Sequence, residues 1–230
     1  MTLTPAQREQ ARFNMIEQQI RPWGVADVQV LHLLSVIPRE DFVPAAHKAL
    51  AFIDMEIPLN ANHAEALRLG QIMLAPKVEA RMLQELAPHK HETVLEIGAG
   101  SGYMAALLAH RSQRVVTMEI VPELAEMARA NLLRNGVYNA EVRLIDASKA
   151  PGKEAAFDVI LLSGTVAEVP QSLLDQLKLG GRLGAIVGTD PVMRATVITR
   201  TGERQFQTRQ PWDTHAPALL NFPRPAAFVF

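Results

Sequence analysis

The chain contains no cysteine. That absence removes disulfide frameworks, thiolate nucleophiles and thiolate-ligated zinc from consideration. It also lacks any apolar run approaching the roughly 18 residues that a membrane-spanning helix needs. Met1 to Gln10 is polar, with no apolar segment of the secretory type. These features lead us to expect a cytoplasmic location and no membrane partner. Neither charge sign dominates: Lys and Arg number 23 against 24 Asp and Glu, for a formal net charge of −1. Nucleic-acid affinity is driven mainly by phosphate neutralisation, so a near-neutral chain without basic runs is not expected to bind nucleic acid. The seven histidines show no metal-ligand spacing apart from His89-x-His91 in an expected surface turn, so no metal is expected.

What is present suits a folded protein with a sizeable core. Apolar residues make up 48% and charged residues 20% of 230 positions, enough for one large domain or a domain with a small appendage. Thr4-Pro5 reads as a helix cap with proline at the first helical position, and Phe13, Ile16 and Ile20 recur at helical spacing. The spacing predicts a helix from Pro5 to Ile20, broken at Arg21-Pro22-Trp23-Gly24. A second helix carries Val28, Leu31, Leu34 and Ile37 on one face. Pro58 to Asn62 reads as loop, His63 to Leu69 as a helical turn, and Pro76 opens a helix that turns Val78, Met82 and Leu86 inward.

After Pro88 the texture changes to short β-prone runs alternating with helices of about a dozen residues. Strands are expected at Thr93–Ile97, Arg114–Glu119, Glu141–Ile145, Phe157–Leu162 and Arg182–Val187, with late candidates at Ala195–Arg200 and Ala226–Phe230. Helices are expected at Tyr103–His110, Pro122–Arg134 and Val169–Leu177, the last closed by Gly180-Gly181. This alternation indicates an α/β protein with a doubly wound, mostly parallel sheet. We divide it into an N-terminal helical cap and substrate region, residues 1–88, and a cofactor-binding domain, residues 89–230.

The segment Val94-Leu95-Glu96-Ile97-Gly98-Ala99-Gly100-Ser101-Gly102-Tyr103 runs a strand into a glycine loop and then a helix. Glycines allow positive φ and close backbone approach to a ligand, and the helix start beyond offers free N–H groups. Dinucleotide binders want G-x-G-x-x-G. Here the third glycine comes one residue early and Tyr103 stands in its place. Glu96 two residues before the first glycine, followed by G-x-G-x-G, is the form found in methyltransferases that use S-adenosylmethionine. Glu119 ends the next strand, twenty-one residues past Gly98, where a carboxylate can accept from ribose hydroxyls. Asp146 follows the third strand, placed to take an adenine amino group. Ile120 and Ala147, beside these acids, complete the expected cofactor contacts.

With these residues in hand, the sequence resembles the protein-L-isoaspartate O-methyltransferase family from about Met15 to Gly188. Ile37-Pro38-Arg39-Glu40-Asp41-Phe42-Val43-Pro44 is similar to its V-P-R-x-x-F-V-P segment. Val94 to Tyr103 resembles V-L-E-I-G-T-G-S-G-Y, differing only at Ala99. Phe157-Asp158-Val159-Ile160 and Pro170 to Leu183 resemble two further blocks, the second P-x-x-L-L-x-Q-L-K-P-G-G-R-L. The resemblance implies a Rossmann-like methyltransferase fold whose N-terminal helices cover the crevice. It implies S-adenosylmethionine as cofactor, S-adenosylhomocysteine as product, and methylation of the free α-carboxyl of isoaspartyl residues in damaged proteins. A carboxylate is already ionised at pH 7 and needs no general base.

The sequence departs from the family on the acceptor side. The family's G-Q-T-I-S-Q-P carries a serine beside the transferred methyl. Here Gly70-Gln71-Ile72-Met73-Leu74-Ala75-Pro76 places Leu74 at the serine position, and leucine offers no hydrogen bond. The loop Pro58 to Leu69 is longer than the family's link, Ser148 stands where the family has the second glycine of G-D-G, and the tail from Trp212 differs. Met73, Leu74, His63, Trp23, Trp212 and Thr165 are candidates for the acceptor side. Two alternatives therefore stand beside the isoaspartyl reading. One is a methyltransferase of the same fold acting on a different, small apolar acceptor. The other is a non-catalytic protein that binds S-adenosylmethionine.

Overall fold

The computed structural model describes residues 3–149 and 156–223. Helix α1 (Pro5–Asn14) starts on a capping box: the Thr4 hydroxyl accepts from the Gln7 N–H and the Gln7 side chain accepts from the Thr4 N–H. The helical path continues through a wider π-type turn, Met15–Ile20, and a tight turn, Arg21–Trp23, ended by Gly24 at φ +84°. The wider turn shifts the helical phase. Met15, Ile16 and Ile20 are buried, whereas Phe13, expected inside, is exposed. Helix α2 (Val28–Val36) is capped by the Asp27 carboxylate, which accepts from the Gln29 and Val30 N–H groups. Its inner face is Val30, Leu31, Leu33 and Leu34; Val28, in the capped first turn, is exposed.

A two-stranded hairpin follows, β1 (Ile57–Pro58) antiparallel to β2 (Ile72–Met73), with α3 (His63–Leu69) between them. The sequence pattern left these two strands unassigned because they are only two residues long. Helix α4 (Pro76–Leu86) begins on its proline and buries Val78, Met82 and Leu86 as expected, with Leu83 beside them.

The central sheet comprises β3 (Thr93–Ile97), β4 (Arg114–Glu119), β5 (Ala140–Leu144), β6 (Phe157–Val166), β7 (Leu177–Thr189), β8 (Val192–Arg200) and β9 (Phe206–Asp213), in spatial order β5-β4-β3-β6-β7-β8-β9. The first five pair in parallel and the last two add an antiparallel edge. Helices α5 (Tyr103–Arg111) and α6 (Pro122–Arg134) make the crossovers among β3, β4 and β5. The chain builds outward from β3 through β4 to β5, then returns to β6 on the other side. The order thus reverses between β3 and β6, and open sheets of this kind bind ligands at the strand ends beside such a reversal.

Two expectations are corrected and one strand is added. The helix expected over Val169–Leu177 is a single turn, α7 (Gln171–Leu174). Gly180-Gly181 lies inside β7 rather than closing a helix. The β6–β7 register shifts there, and a Cβ on Gly181 would stand 3.1 Å from the Phe157 and Asp158 carbonyl oxygens. Strand β9 falls where the sequence pattern assigned no element; it is the sheet edge, where Pro211 can lack its N–H without breaking a ladder. The strand expected at Ala226–Phe230 lies outside the described residues.

Alternation along β3 sorts the core into two layers. Val94 packs with Leu34, Phe42, Leu83 and Leu107 on the side covered by the N-terminal helices, and that cluster runs unbroken across residue 88. Leu95 and Ile97 face the other layer, with Val116, Ile160 and Leu183. Glu96 shares the parity of Val94, so its carboxylate points toward the N-terminal layer and α4.

Candidate active site

The glycine turn after β3 is held by the Gly98 N–H donating to the Met118 carbonyl at 2.8 Å and the Gly102 N–H to Ala99 at 2.8 Å. Gly98 has φ +93° and Gly102 φ +84°, a region that side chains avoid. At Gly102 a Cβ would also lie 3.2 Å from the Ala128 backbone, so this glycine lets α5 pack on α6.

At the end of β4, Glu119 is buried and fully engaged. Its Oε1 accepts from the Ile120 and Val121 N–H groups at 2.9 and 3.0 Å, and its Oε2 from the Gly100 N–H at 2.9 Å. One carboxylate thus ties the second loop to the first. After β5, Asp146 accepts from the Ser148 hydroxyl at 2.6 Å and from the Asn221 amide at 2.8 Å. The Ser148 hydroxyl first, with Lys149 and Asn221, holds this carboxyl well below the usual range.

Two adjoining hollows open at these strand ends. The outer one is lined by Gly98, Gly100, Glu119, Ile120, Asp146 and Ala147, and is covered by Leu59 and Ile72 from the N-terminal region and by Leu219 and Phe222 from the tail. The inner one is lined by Glu96, Gly98, Ala99, Gly100 and Ser101, with Met73, Leu74, Glu79 and Ser163 opposite. The two share Ile72, Gly98, Gly100 and Ser163 and form one crevice.

The structure therefore brings together nearly every residue expected to bind the cofactor; only Gly102 stands back, as a packing glycine. Leu74 and Met73 border the inner hollow. Thr165 does not reach it: its hydroxyl donates to the Ala216 carbonyl at 2.8 Å, and its backbone pairs with Pro217 and Leu219. It fastens the tail beside β6 and borders a separate depression. Trp23 and Trp212 also lie elsewhere, stacked under Lys77 and Arg81 respectively. His63 starts α3 on the exposed side and its ring meets that of His47. Among the described residues no cluster of acids and histidines could hold a metal ion.

Crevice residues that escaped the sequence reading include Glu79, Ser163, Leu59, Leu219 and Phe222. Only Glu79 left a signal. It precedes Met82 by three and Leu86 by seven, and so puts a carboxylate on the inward face of α4.

The inner hollow is acidic. Glu96 is wholly buried; Ser163 donates to its Oε1 at 2.8 Å, and the buried Thr117 hydroxyl on the paired strand also supports the carboxylate. Burial, reinforced by the neighbouring Glu119 charge, pushes its carboxyl up to about 7. Glu79 is pushed up to about 8, again mainly by burial, with Arg39 opposing. Arg39 is itself buried, donating to the Ala51 and Leu74 carbonyls at 3.0 Å.

This crevice fits a molecule with an adenosine end and a charged aliphatic end. Carboxylates stand at the ends of β4 and β5 for hydroxyl and amino donors, and glycine backbone is open between the hollows. In the inner hollow Glu79 Oε2 is a buried acceptor without a hydrogen-bond partner among the described residues.

Comparison with known proteins identifies the family and the fold. Residues 10–214 match the family described as protein-L-isoaspartate(D-aspartate) O-methyltransferase. A protein-L-isoaspartate O-methyltransferase of Methanoculleus marisnigri is 41% identical over 188 residues, 82% of this chain and 81% of its own. One from Rhodopseudomonas palustris is 36% identical over 207 residues, 90% of this chain and 91% of its own. Among solved structures, a protein-L-isoaspartate O-methyltransferase superposes with TM-score 0.76 at 23% identity, over 92% of this chain and 65% of that one. A Plasmodium falciparum protein assigned to the same enzymes, solved with S-adenosyl-L-homocysteine, gives 0.74 at 18% identity, over 92% and 97%.

Proposed function

Because the chain belongs to the protein-L-isoaspartate(D-aspartate) O-methyltransferase family, we propose that it methylates isoaspartyl residues of proteins from S-adenosylmethionine bound in this crevice. It is an S-adenosylmethionine-dependent methyltransferase. The observation that carries the assignment of the crevice is the series Gly98–Ser101, Glu119 and Asp146 at three successive strand ends beside the order reversal. Glu119 and Asp146 hold the adenosine end in the outer hollow, and the glycine turn with Glu96 holds the methionyl end. Residues 1–88 act as the cap over the acceptor side, and 89–230 as the cofactor-binding unit.

When bound, S-adenosylmethionine supplies a methyl group activated by positively charged sulfur. The protein's part is placement. Its loops hold the acceptor carboxylate in line with that methyl and keep water out, and orientation of this kind can contribute about 7–11 kcal/mol. Leu59 and Ile72 close the crevice from the cap side and Leu219 from the tail side. Labelled-methyl transfer to an isoaspartyl peptide, with the aspartyl peptide as control, tests the reading. Selective incorporation is expected; none, in protein that S-adenosylhomocysteine stabilises against heat, overturns it.

One observation favours a second reading, a different and apolar acceptor. Leu74 and Met73 border the inner hollow where the family resemblance calls for a serine hydroxyl. Failure with isoaspartyl peptide alongside turnover of an apolar acceptor would establish it.

Among the described residues, no helix is long and apolar enough to cross a membrane.

A further inference from the structure

Glu79 is not part of the glycine loop or of any strand end, yet it shares the inner hollow with Glu96. Both carboxylates are at least nine-tenths buried, at 5% and 0% exposure, and Glu79 Oε2 has no hydrogen-bond partner among the described residues. The hollow's lining contains no lysine, arginine or histidine. The nearest cation is Arg39, behind it. Its Nε lies 4.0 Å from Glu79 Oε2, too far for a hydrogen bond, and both atoms are unpartnered. One guanidinium therefore stands beside Glu79, and no cation of the lining stands beside Glu96. Buried charge is tolerated when paired, and this pocket lacks one positive partner. Its remaining walls, including Leu74, Val78 and Met82, suit a short aliphatic chain.

The adjoining outer hollow, with Glu119 and Asp146, fixes which end of a ligand enters here. A molecule whose adenosine occupies the outer hollow passes Gly98 and Gly100 with its other end. We propose that Glu79, together with Glu96, binds the α-ammonium group of the methionyl end of S-adenosylmethionine, making Glu79 a cofactor-recognition residue contributed by the N-terminal cap. This rests on the crevice being the cofactor site. It means that the cap does more than roof the acceptor, because α4 supplies a charge that reads the cofactor directly.

The test is calorimetric binding to the full chain, with two ligands: S-adenosylhomocysteine, and its deaminated analogue 4-(5′-adenosylthio)butanoate. A charge-assisted hydrogen bond makes the difference about tenfold or more. Glu79→Gln is expected to weaken S-adenosylhomocysteine by about that factor and to leave the deaminated analogue within about twofold. Equal losses for both ligands, or no loss for either, overturn the proposal. Glu79→Gln leaves Arg39 without its counter-ion, so if it fails to fold, the double variant Arg39→Gln/Glu79→Gln, which leaves no unpaired buried charge between them, takes the same test with the same outcomes. Wild-type protein that does not bind S-adenosylhomocysteine at all would overturn the cofactor assignment itself, a result distinct from a variant that binds both ligands unchanged.

Discussion

Leu219 seats its side chain against Gly98, its Cδ2 lying 3.1 Å from the place a Cβ would occupy on that glycine. The same methyl would be 2.8 Å from a Cβ on Gly164, so the tail is seated between the ends of β3 and β6, at the point where strand order reverses. Any side chain on Gly98 meets both a positive φ and this contact. Gly98→Ala is expected to cost about 1–3 kcal/mol of stability and to weaken S-adenosylhomocysteine binding at least about tenfold. Thermal unfolding with and without ligand checks both; a variant with wild-type affinity would mean the glycine turn lies outside the ligand's path.

Glu119 satisfies three backbone N–H groups on two loops. Glu119→Ala leaves them without acceptors, at about 1–3 kcal/mol for each that water cannot reach. We expect a lower Tm and loss of cofactor binding together. Glu119→Gln, which keeps one acceptor oxygen, should fall between the variant and wild type.

The two inner carboxylates make the ligand-free protein sensitive to pH in a definite direction. An unfolded glutamate titrates near 4.3, whereas in the fold Glu96 is raised to about 7 and Glu79 to about 8. Arg39 opposes the shift at Glu79, while Glu119 adds to that at Glu96. The folded state thus holds protons that the unfolded state has released. The contribution to stability is full below about 4.3, shrinks as pH rises, and is gone above about 7 for Glu96 and about 8 for Glu79. The Tm without ligand is expected to decline as pH rises from about 4.3 to about 8, and Glu96→Gln should decline less. A flat profile in the wild type would show that neither group is protonated in the fold.

Leu74 is the departure that bears most directly on the acceptor. Its carbonyl anchors Arg39 at 3.0 Å, a contact that survives side-chain replacement, so the backbone there can hold a hydroxyl in place. Leu74→Ser is expected to raise kcat/KM for an isoaspartyl peptide about tenfold, the value of one hydrogen bond to a charged group. Cofactor affinity should change little. Steady-state kinetics with labelled methyl donor measure this; unchanged or lower kcat/KM would mean the acceptor carboxylate binds elsewhere.

The alternation of short apolar strands with helices, and the spacing of Glu96, Gly98, Gly100, Glu119 and Asp146, made the sheet, its parallel character and the gathering of these residues around one crevice legible from the sequence alone. Those features are local: strand period, helix caps and a glycine turn act over a few residues, and parallel connectivity then carries the strand ends to one side. The edge strand β9, the hairpin β1–β2 and the bulge at Gly180-Gly181 were not legible, because long-range pairing decides them against local propensity. Only the tertiary structure decided that Thr165 ties down the tail, that Leu219 closes on Gly98, and that Glu79 shares a hollow with Glu96. Glu79 and Glu96 stand seventeen residues apart on a helix and a strand. Their meeting depends on how α4 packs across the sheet over β7, where Met82 and Leu86 meet Gly184, a matter of side-chain volumes across the whole core.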